Sequence, residues 1–254
     1  MRFGELFGKS WQDYKNNFKL ILKAYWWLYA IPFVILFLFG IIVKGYLEGN
    51  GGLSGNIIVA LLNIVLVIGA FFLIYWFYLI LYYLSLYNEK GGMTFKQARK
   101  GGMTYFWRFL GLSIVLVLAL FGLSLLLIIP GIIFSVYWIF SGYVLMRENT
   151  RITESMKRSK IIVKGRWWRV FGNFFLLGII IFLISLIFIV PNWMITIYSV
   201  SSMVSGETSL LSAYILPLIN LILQLVVSLI TTPLLIFFGK NLYLDLRTSV
   251  GKDN

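Results

Sequence analysis

The chain has 254 residues, 60% of them hydrophobic and only 12% charged, with a mean hydropathy of +0.91; soluble domains carry about 25% charged residues, so a water-soluble fold is excluded and an all-α, polytopic membrane protein is expected. The net charge of +13, from 22 Lys and Arg against nine Asp and Glu, lies between apolar runs rather than in the soluble basic domain of a nucleic-acid reader, so the expected partner is the anionic surface of a bilayer and not nucleic acid. Cys and His are both absent, which removes disulfides, imidazole and thiolate metal sites and catalysis built on either side chain; no metal or cofactor is expected.

In chain order, Phe3, Leu6, Phe7, Trp11, Tyr14 and Phe18 recur at helical spacing, with Glu5, Lys9, Gln12, Asp13 and Lys15 elsewhere on the wheel. The pattern predicts a helix lying in the membrane interface. Span 1, residues 24–43, follows five basic residues and reads as an uncleaved signal anchor with Pro32 as a kink. A Gly-rich turn leads to span 2, residues 57–87, longer than the roughly 20 residues a bilayer needs. Its second half holds Tyr75, Trp76, Tyr78, Tyr82, Tyr83 and Tyr87. Two readings stay open there: an aromatic belt, or a cavity wall in which Tyr78 and Tyr82 offer hydroxyls to an amphiphilic ligand.

KGGMTF at Lys90 is echoed by KGGMTY at Lys100. Thr94 with Gln97 fits a capping box, and Gly101–Gly102 are expected to end that short helix. Neither GxGxxG nor GxxxxGK[ST] is present, so the glycines do not form a known phosphate loop. Span 3, 109–129, and span 4, 132–146, are expected to meet in a tight turn at Pro130–Gly131. Fifteen residues rise only about 22 Å, short of the roughly 30 Å hydrocarbon core, so this hairpin either re-enters or thins the bilayer.

The stretch from Arg147 to Arg169 holds eight of the 22 basic residues. Ile152, Met156, Ser159 and Val163 form a stripe on a helix expected over 153–164, with Arg151, Glu154, Lys157, Arg158 and Lys160 largely off it. The expectation is a second interfacial helix, apolar side in the acyl boundary and basic side on headgroups, ended by Gly165. Span 5, 170–190, is expected to break at Pro191–Asn192; an outer link of Trp193–Leu210 leads to span 6, 211–239, kinked at Pro217 and Pro233, and then to a short tail without a domain. With both termini cytoplasmic in the cell membrane, 21 of the 22 basic residues lie inside and only Lys44 outside, which satisfies the positive-inside rule.

Trp107-Arg108-Phe109-Leu110-Gly111 matches Trp168-Arg169-Val170-Phe171-Gly172 at an offset of 61, shared by Pro130 and Pro191 and by Lys96 and Lys157. With YKNNFKLIL as a weaker copy, the chain reads as three units, each a basic amphipathic segment followed by a two-span hairpin. The stretches GELFGKSWQDYKNNF, IIPGIIFSVYWIFSGYVLMREN and SMKRSKIIVKGRWWRVFGNFF resemble a broad prokaryotic group of six-span membrane proteins. That group includes the membrane domain fused to some bacterial glycerophosphodiester phosphodiesterases and related stand-alone proteins of unknown function. The resemblance covers nearly the whole chain through turn, cap and interface residues; it implies a fold, and no matched position carries a catalytic role.

No Asp, Glu, Lys or Arg falls inside a proposed span, which weighs against ion pathways, proton relays and intramembrane catalysis. The candidate headgroup contacts are Trp107, Arg108, Lys157, Arg158, Lys160, Lys164, Arg166, Trp168 and Arg169. The candidate polar contacts within the membrane are Asn220 and Gln224, one turn apart on span 6, with Asn63, Tyr78 and Tyr82. Two function classes follow: a non-enzymatic accessory, scaffolding or envelope-maintenance module touching lipids and other membrane proteins, or a carrier of a hydrophobic or amphiphilic solute without ion coupling. A nucleotide-driven carrier would need a separate ATPase subunit.

Overall fold

The computed structural model describes residues 1–32, 34–35, 37–40, 53–89, 91–205 and 215–250; for Tyr29, residues 53–59, Asn63, Leu126, Ser199, Met203, Val204 and Val250 it describes the backbone alone. Every regular element among them is helical and none is a strand. Helix α1 covers Phe3–Tyr25 and passes into a π-turn at Trp26–Ala30. It is followed by α2 (Leu53–Tyr87), α3 (Phe95–Thr104), α4 (Phe106–Leu126), α5 (Ile128–Trp138), α6 (Ser141–Glu148), α7 (Ile152–Val163), α8 (Trp167–Val204) and α9 (Leu216–Val250).

Among the described residues, five stretches are long and apolar enough to cross a bilayer: Ala60–Tyr87, Phe106–Leu125, Ile128–Glu148, Trp167–Ser202 and Leu216–Ser249. The chain is thus an all-helical, multi-pass membrane protein. Of the expected first span, 24–43, the described residues 24–32, 34–35 and 37–40 are helical, and positions 33, 36 and 41–43 lie outside the described residues. The 36 residues of Trp167–Ser202 and the 34 of Leu216–Ser249 rise about 50 Å or more at 1.5 Å each. Each therefore extends well beyond a hydrocarbon core of about 30 Å.

Four expected boundaries move. Pro191 does not break span 5: α8 runs through it, as α9 runs through Pro233. Proline removes one backbone hydrogen bond, whereas stopping the helix in lipid would strand several carbonyls and N–H groups at once, so the helix continues. The hairpin turn falls at Leu127 (φ −160°, ψ 137°), not at Pro130–Gly131. Pro130 occupies the first turn of α5, where the missing N–H has no intrahelical partner to lose. Gly131 lies so close to the Ser124 hydroxyl that a Cβ would displace it, and that contact closes the hairpin.

Gly101 and Gly102 do not end α3, which continues to Thr104. A Cβ on Gly101 would enter the Tyr83 ring, and one on Gly102 would come within 3.1 Å of the Ile80 backbone. The pair lets α3 lie directly on α2, the use small residues commonly serve between membrane helices. The Thr94–Gln97 capping box is formed. The tail also differs from expectation: α9 continues to Val250, and Lys240, Asn241, Leu242, Tyr243 and Leu246 are buried.

The chain divides into two compact units. Unit one comprises Met1–Ile21, Tyr78–Gly178 and Pro233–Asn254; unit two comprises Leu22–Phe77 and Ile179–Thr232. Unit one holds 20 of the 22 Lys and Arg and seven of the nine Asp and Glu. At its centre is α6, with every residue from Ser141 to Met146 buried. Around it Phe140 meets Phe174 at 6.3 Å and Tyr243 at 6.0 Å, and Phe174 meets Phe238 at 5.8 Å. The Tyr143 hydroxyl donates to the Ile236 carbonyl at 2.8 Å and fills the space a side chain at Gly239 would need.

Unit two is apolar outside as well as inside. Leu61, Leu62, Ile64, Val65, Phe71, Phe182, Leu183, Ile187, Ile222 and Val226 are exposed, a surface that water would penalise and lipid covers. Inside it Tyr25 packs edge-on to Phe77 at 5.6 Å, and the Tyr25 hydroxyl donates to the Leu225 carbonyl, with Ser228 Oγ at 2.6 Å.

Candidate functional site

The basic segment between Arg147 and Arg169 is built around α7. Arg151 is its N-cap in extended conformation, and after Lys164 the chain turns at Gly165 (φ +78°), a left-handed position that suits glycine. Ser155, Met156, Ser159, Ile162 and Val163 are buried in unit one. Ser159 Oγ donates to the Tyr137 carbonyl at 2.7 Å and accepts from the Phe140 N–H at 3.2 Å. Both groups belong to the break between α5 and α6, where no side chain of α6's own N-cap supplies a bond. The apolar stripe is therefore not in the acyl boundary as expected from its period: protein occupies it, because the α5–α6 break leaves polar backbone that α7 satisfies.

The opposite face carries the exposed residues Lys157, Arg158, Lys160, Ile161 and Lys164. Lys160 Nζ stands 5.4 Å from the centre of the Phe134 ring and 5.8 Å from that of Tyr137, positions where a ring face attracts a cation. Two cavities flank α5 near these lysines. One, of about 340 Å³, is lined by Val115, Phe134, Trp138, Met156, Lys157 and Lys160, among others. The other, of about 500 Å³, is lined by Ile129, Ile132, Ile133, Tyr137, Trp167 and Trp168.

The nine candidate headgroup residues separate into two groups. Trp107 and Trp168 are 73% and 78% exposed, each the second residue of a long apolar helix and each followed by its Arg. Lys157, Lys160 and Lys164 have no carboxylate partner among the described residues. The arginines are more engaged than expected. Arg158 Nε lies 3.5 Å from Glu148, which also takes Arg247 at 3.2 Å and the Tyr243 hydroxyl at 3.1 Å. Arg166 donates to the Leu246 carbonyl and to Ser249 Oγ, and Arg169 to Asp245 at 2.7 Å and to the Met1 carbonyl. Arg108 donates to Asn149 Oδ1 at 2.7 Å. Reading charge from sequence could not foresee these pairs, since the carboxylates come from α6 and from the end of α9.

Of the candidate polar contacts, Asn220 and Gln224 are brought together in unit two, and their partner is Asn192. Asn192 Nδ2 donates to Asn220 Oδ1 at 2.5 Å, Asn220 Nδ2 returns a bond to Asn192 Oδ1 at 3.2 Å, and Gln224 Nε2 donates to Asn220 Oδ1 at 3.3 Å. Beside them is a cavity of about 320 Å³ whose polar lining is Ser185, Asn192, Gln224, Ser228 and Thr231. The expected break at Pro191–Asn192 puts Asn192 past the end of span 5, whereas it lies inside α8. The side chain of Asn63 lies outside the described residues. Tyr78 and Tyr82 do not line this cavity; they belong to unit one, where Tyr82 packs on Phe109 at 5.0 Å and Tyr143 at 4.7 Å.

One polar cluster was missed altogether. Lys240, its side chain 2% exposed, donates to Asp13 Oδ2 at 2.7 Å, with Glu89 at 4.0 Å. Asn241 Nδ2 donates to Ser10 Oγ and to Asp13 Oδ2, both at 3.0 Å, and Asn88 Nδ2 donates to Asn17 Oδ1 at 2.7 Å. The buried face of α1 is Leu6, Ser10, Tyr14, Asn17 and Ile21, not the aromatic stripe through Phe3, Phe7, Trp11 and Phe18. The signal was available: Ser10, Asp13 and Asn17 are spaced by three and four, a polar stripe on a helix. Comparison of the chain with protein-family models, curated proteins and solved structures finds no match.

Proposed function

We propose that this chain is a non-enzymatic accessory, scaffolding or envelope-maintenance protein of the cell membrane, with both termini cytoplasmic, that works through contacts with anionic lipids and with other membrane proteins. The observation that carries this reading is the outward face of α7. Its other face is bonded to protein through Ser159, so Lys157, Lys160 and Lys164 are presented from a fixed support, beside apolar cavities and an exposed Trp168. A basic residue near an anionic membrane surface contributes about 1 kcal/mol, so the group acts collectively. Replacing Lys157, Arg158, Lys160 and Lys164 together with Gln is expected to lower the anionic lipid retained after purification in mild detergent, read by mass spectrometry of the extracted lipid. Added salt should do the same by screening; lipid retention unchanged in the quadruple variant rejects the reading.

A second reading, a carrier of an amphiphilic solute, draws on the cavity of unit two. Asn192, Asn220 and Gln224 give an otherwise apolar unit a set of amide donors and acceptors able to exchange partners with a ligand. Asn192→Leu with Gln224→Leu is expected to abolish solute passage through reconstituted vesicles on this reading and to leave it unaffected on the first.

A further inference from the structure

The connection from α6 to α7 gathers hydrogen-bond donors with no carboxylate beside them. Asn149 ends α6 in the left-handed region (φ 51°, ψ 38°), a conformation asparagine tolerates better than most residues. The turn it makes brings Arg108, in the first turn of α4, against the start of α7. A cavity of about 520 Å³ opens there, lined by Arg108, Asn149, Thr150, Arg151, Ile152 and Thr153. Asn149 Oδ1 accepts one N–H of Arg108 at 2.7 Å, which holds the guanidinium at the rim and leaves its other N–H groups available. Arg151 has no ion pair or side-chain hydrogen bond among the described residues.

Three further features have the same polarity. The N-cap of α7 supplies no side-chain bond, so the first N–H groups of a 12-residue helix face the cavity with the positive end of its dipole. Thr150 Oγ1 is buried and has no hydrogen-bond partner; a hydroxyl in that state is costly unless something else bonds it. No carboxylate lines the cavity: Glu148 is turned to Arg158, Arg247 and Tyr243, and Glu154, though in the first turn of α7, is exposed and outside the lining. Two guanidiniums, a helix start and a free hydroxyl converge with no carboxylate among the lining residues, and the Asn149 side-chain oxygen is already in use.

We infer that this cavity binds a phosphate group, held by Arg108, Arg151, Thr150 and the first turn of α7. A tetrahedral oxyanion offers several acceptors at once and matches guanidinium donors in pairs. The cavity is larger than a free phosphate needs and has room for the substituent of a phosphate ester. Trp107, beside Arg108 and exposed at the start of an apolar helix, favours a phospholipid headgroup as the source. The site rests on its own donors; only its supply from the membrane rests on the lipid-contact reading above.

The test uses the full chain in an uncharged detergent, titrated calorimetrically with inorganic phosphate and, separately, with a short-chain phosphatidic acid. One-to-one binding of phosphate is expected, weakened by about tenfold or more in Arg108→Gln/Arg151→Gln, since losing charge-assisted bonds removes at least one such factor. Thr150→Val, which keeps the side-chain shape, should weaken it without lowering the thermal midpoint, because the hydroxyl has no protein partner to lose. Tighter binding of phosphatidic acid than of phosphate identifies a lipid source, and equal binding a free phosphate. The variant with Gln at 157, 158, 160 and 164 leaves the cavity intact and should keep phosphate affinity while losing lipid retention, which separates the two proposals. Absence of stoichiometric phosphate binding, or equal affinity in wild type and the folded Arg108→Gln/Arg151→Gln protein, overturns the site.

Discussion

Lys240 and Asp13 show what one pair does in an interior this dry. Breaking a buried pair by removing one partner leaves an uncompensated charge and costs about 3–5 kcal/mol, whereas replacing both sides together is often close to neutral. Lys240→Met alone should therefore lower the thermal midpoint strongly, and Asp13→Asn less severely, because the new amide oxygen can still accept from Asn241. The double variant should recover much of the loss. Circular-dichroism melts of the three proteins in detergent give the coupling; additive losses would mean that the pair is not energetically linked. Lys240 escaped the sequence reading because it directly follows an apolar run and was assigned to the tail, yet no helix-ending signal separates Gly239 from Lys240. The physical error was to treat a charge as a boundary.

At the scale of the element, the decisive contact of α7 is also small. Ser159 is the only one of its stripe residues placed to bond the break between α5 and α6, and Ser159→Ala leaves the Phe140 N–H buried without an acceptor. A loss of about 1–3 kcal/mol follows, read as a lower melting midpoint with the helix content of the native state unchanged. The helix itself was legible in the sequence, over 153–164 against Ile152–Val163, because its spacing and Gly165 are local signals. What covers its apolar stripe was not legible, since that depends on a gap in another element. Pro191 misleads for a related reason: in water a proline competes with a hydrated turn, but in lipid the alternative to a continuous helix is a set of unsatisfied groups. Pro130 misleads because a proline suits the first turn of a helix as well as the turn before it. Gly101–Gly102 mislead because a close helix approach and a helix end call for the same residue.

For the whole molecule, the division of charge between the two units is the main constraint on placement. Unit two contains four of the 31 charged residues, Lys23, Lys44, Glu48 and Glu207, with no net charge; unit one carries the entire +13. On the orientation proposed above, which follows the positive-inside rule, unit one's basic loops are cytoplasmic. On this naturally Cys-free chain, single cysteines at positions 158 and 252 are expected to react with an impermeant maleimide only after the cytoplasmic side is opened. Labelling of either from outside intact cells would reverse the orientation. Composition was enough to read class and membrane character; the grouping of helix segments into units was not readable, because α1, α2, α8 and α9 each contribute to both.

That grouping has a consequence in time. Asp13 and Lys240 are 227 residues apart, and at about 5–20 residues per second of synthesis the first waits roughly 10–45 s for the second to be made. Through that interval Ser10 and Asp13 have no Lys240 or Asn241 to bond, and a helix with an unpaired carboxylate on one face stays where water reaches it. The buried face of α1 therefore closes only once α9 has been made, so its contacts belong to the late steps of folding rather than to the emergence of α1 itself.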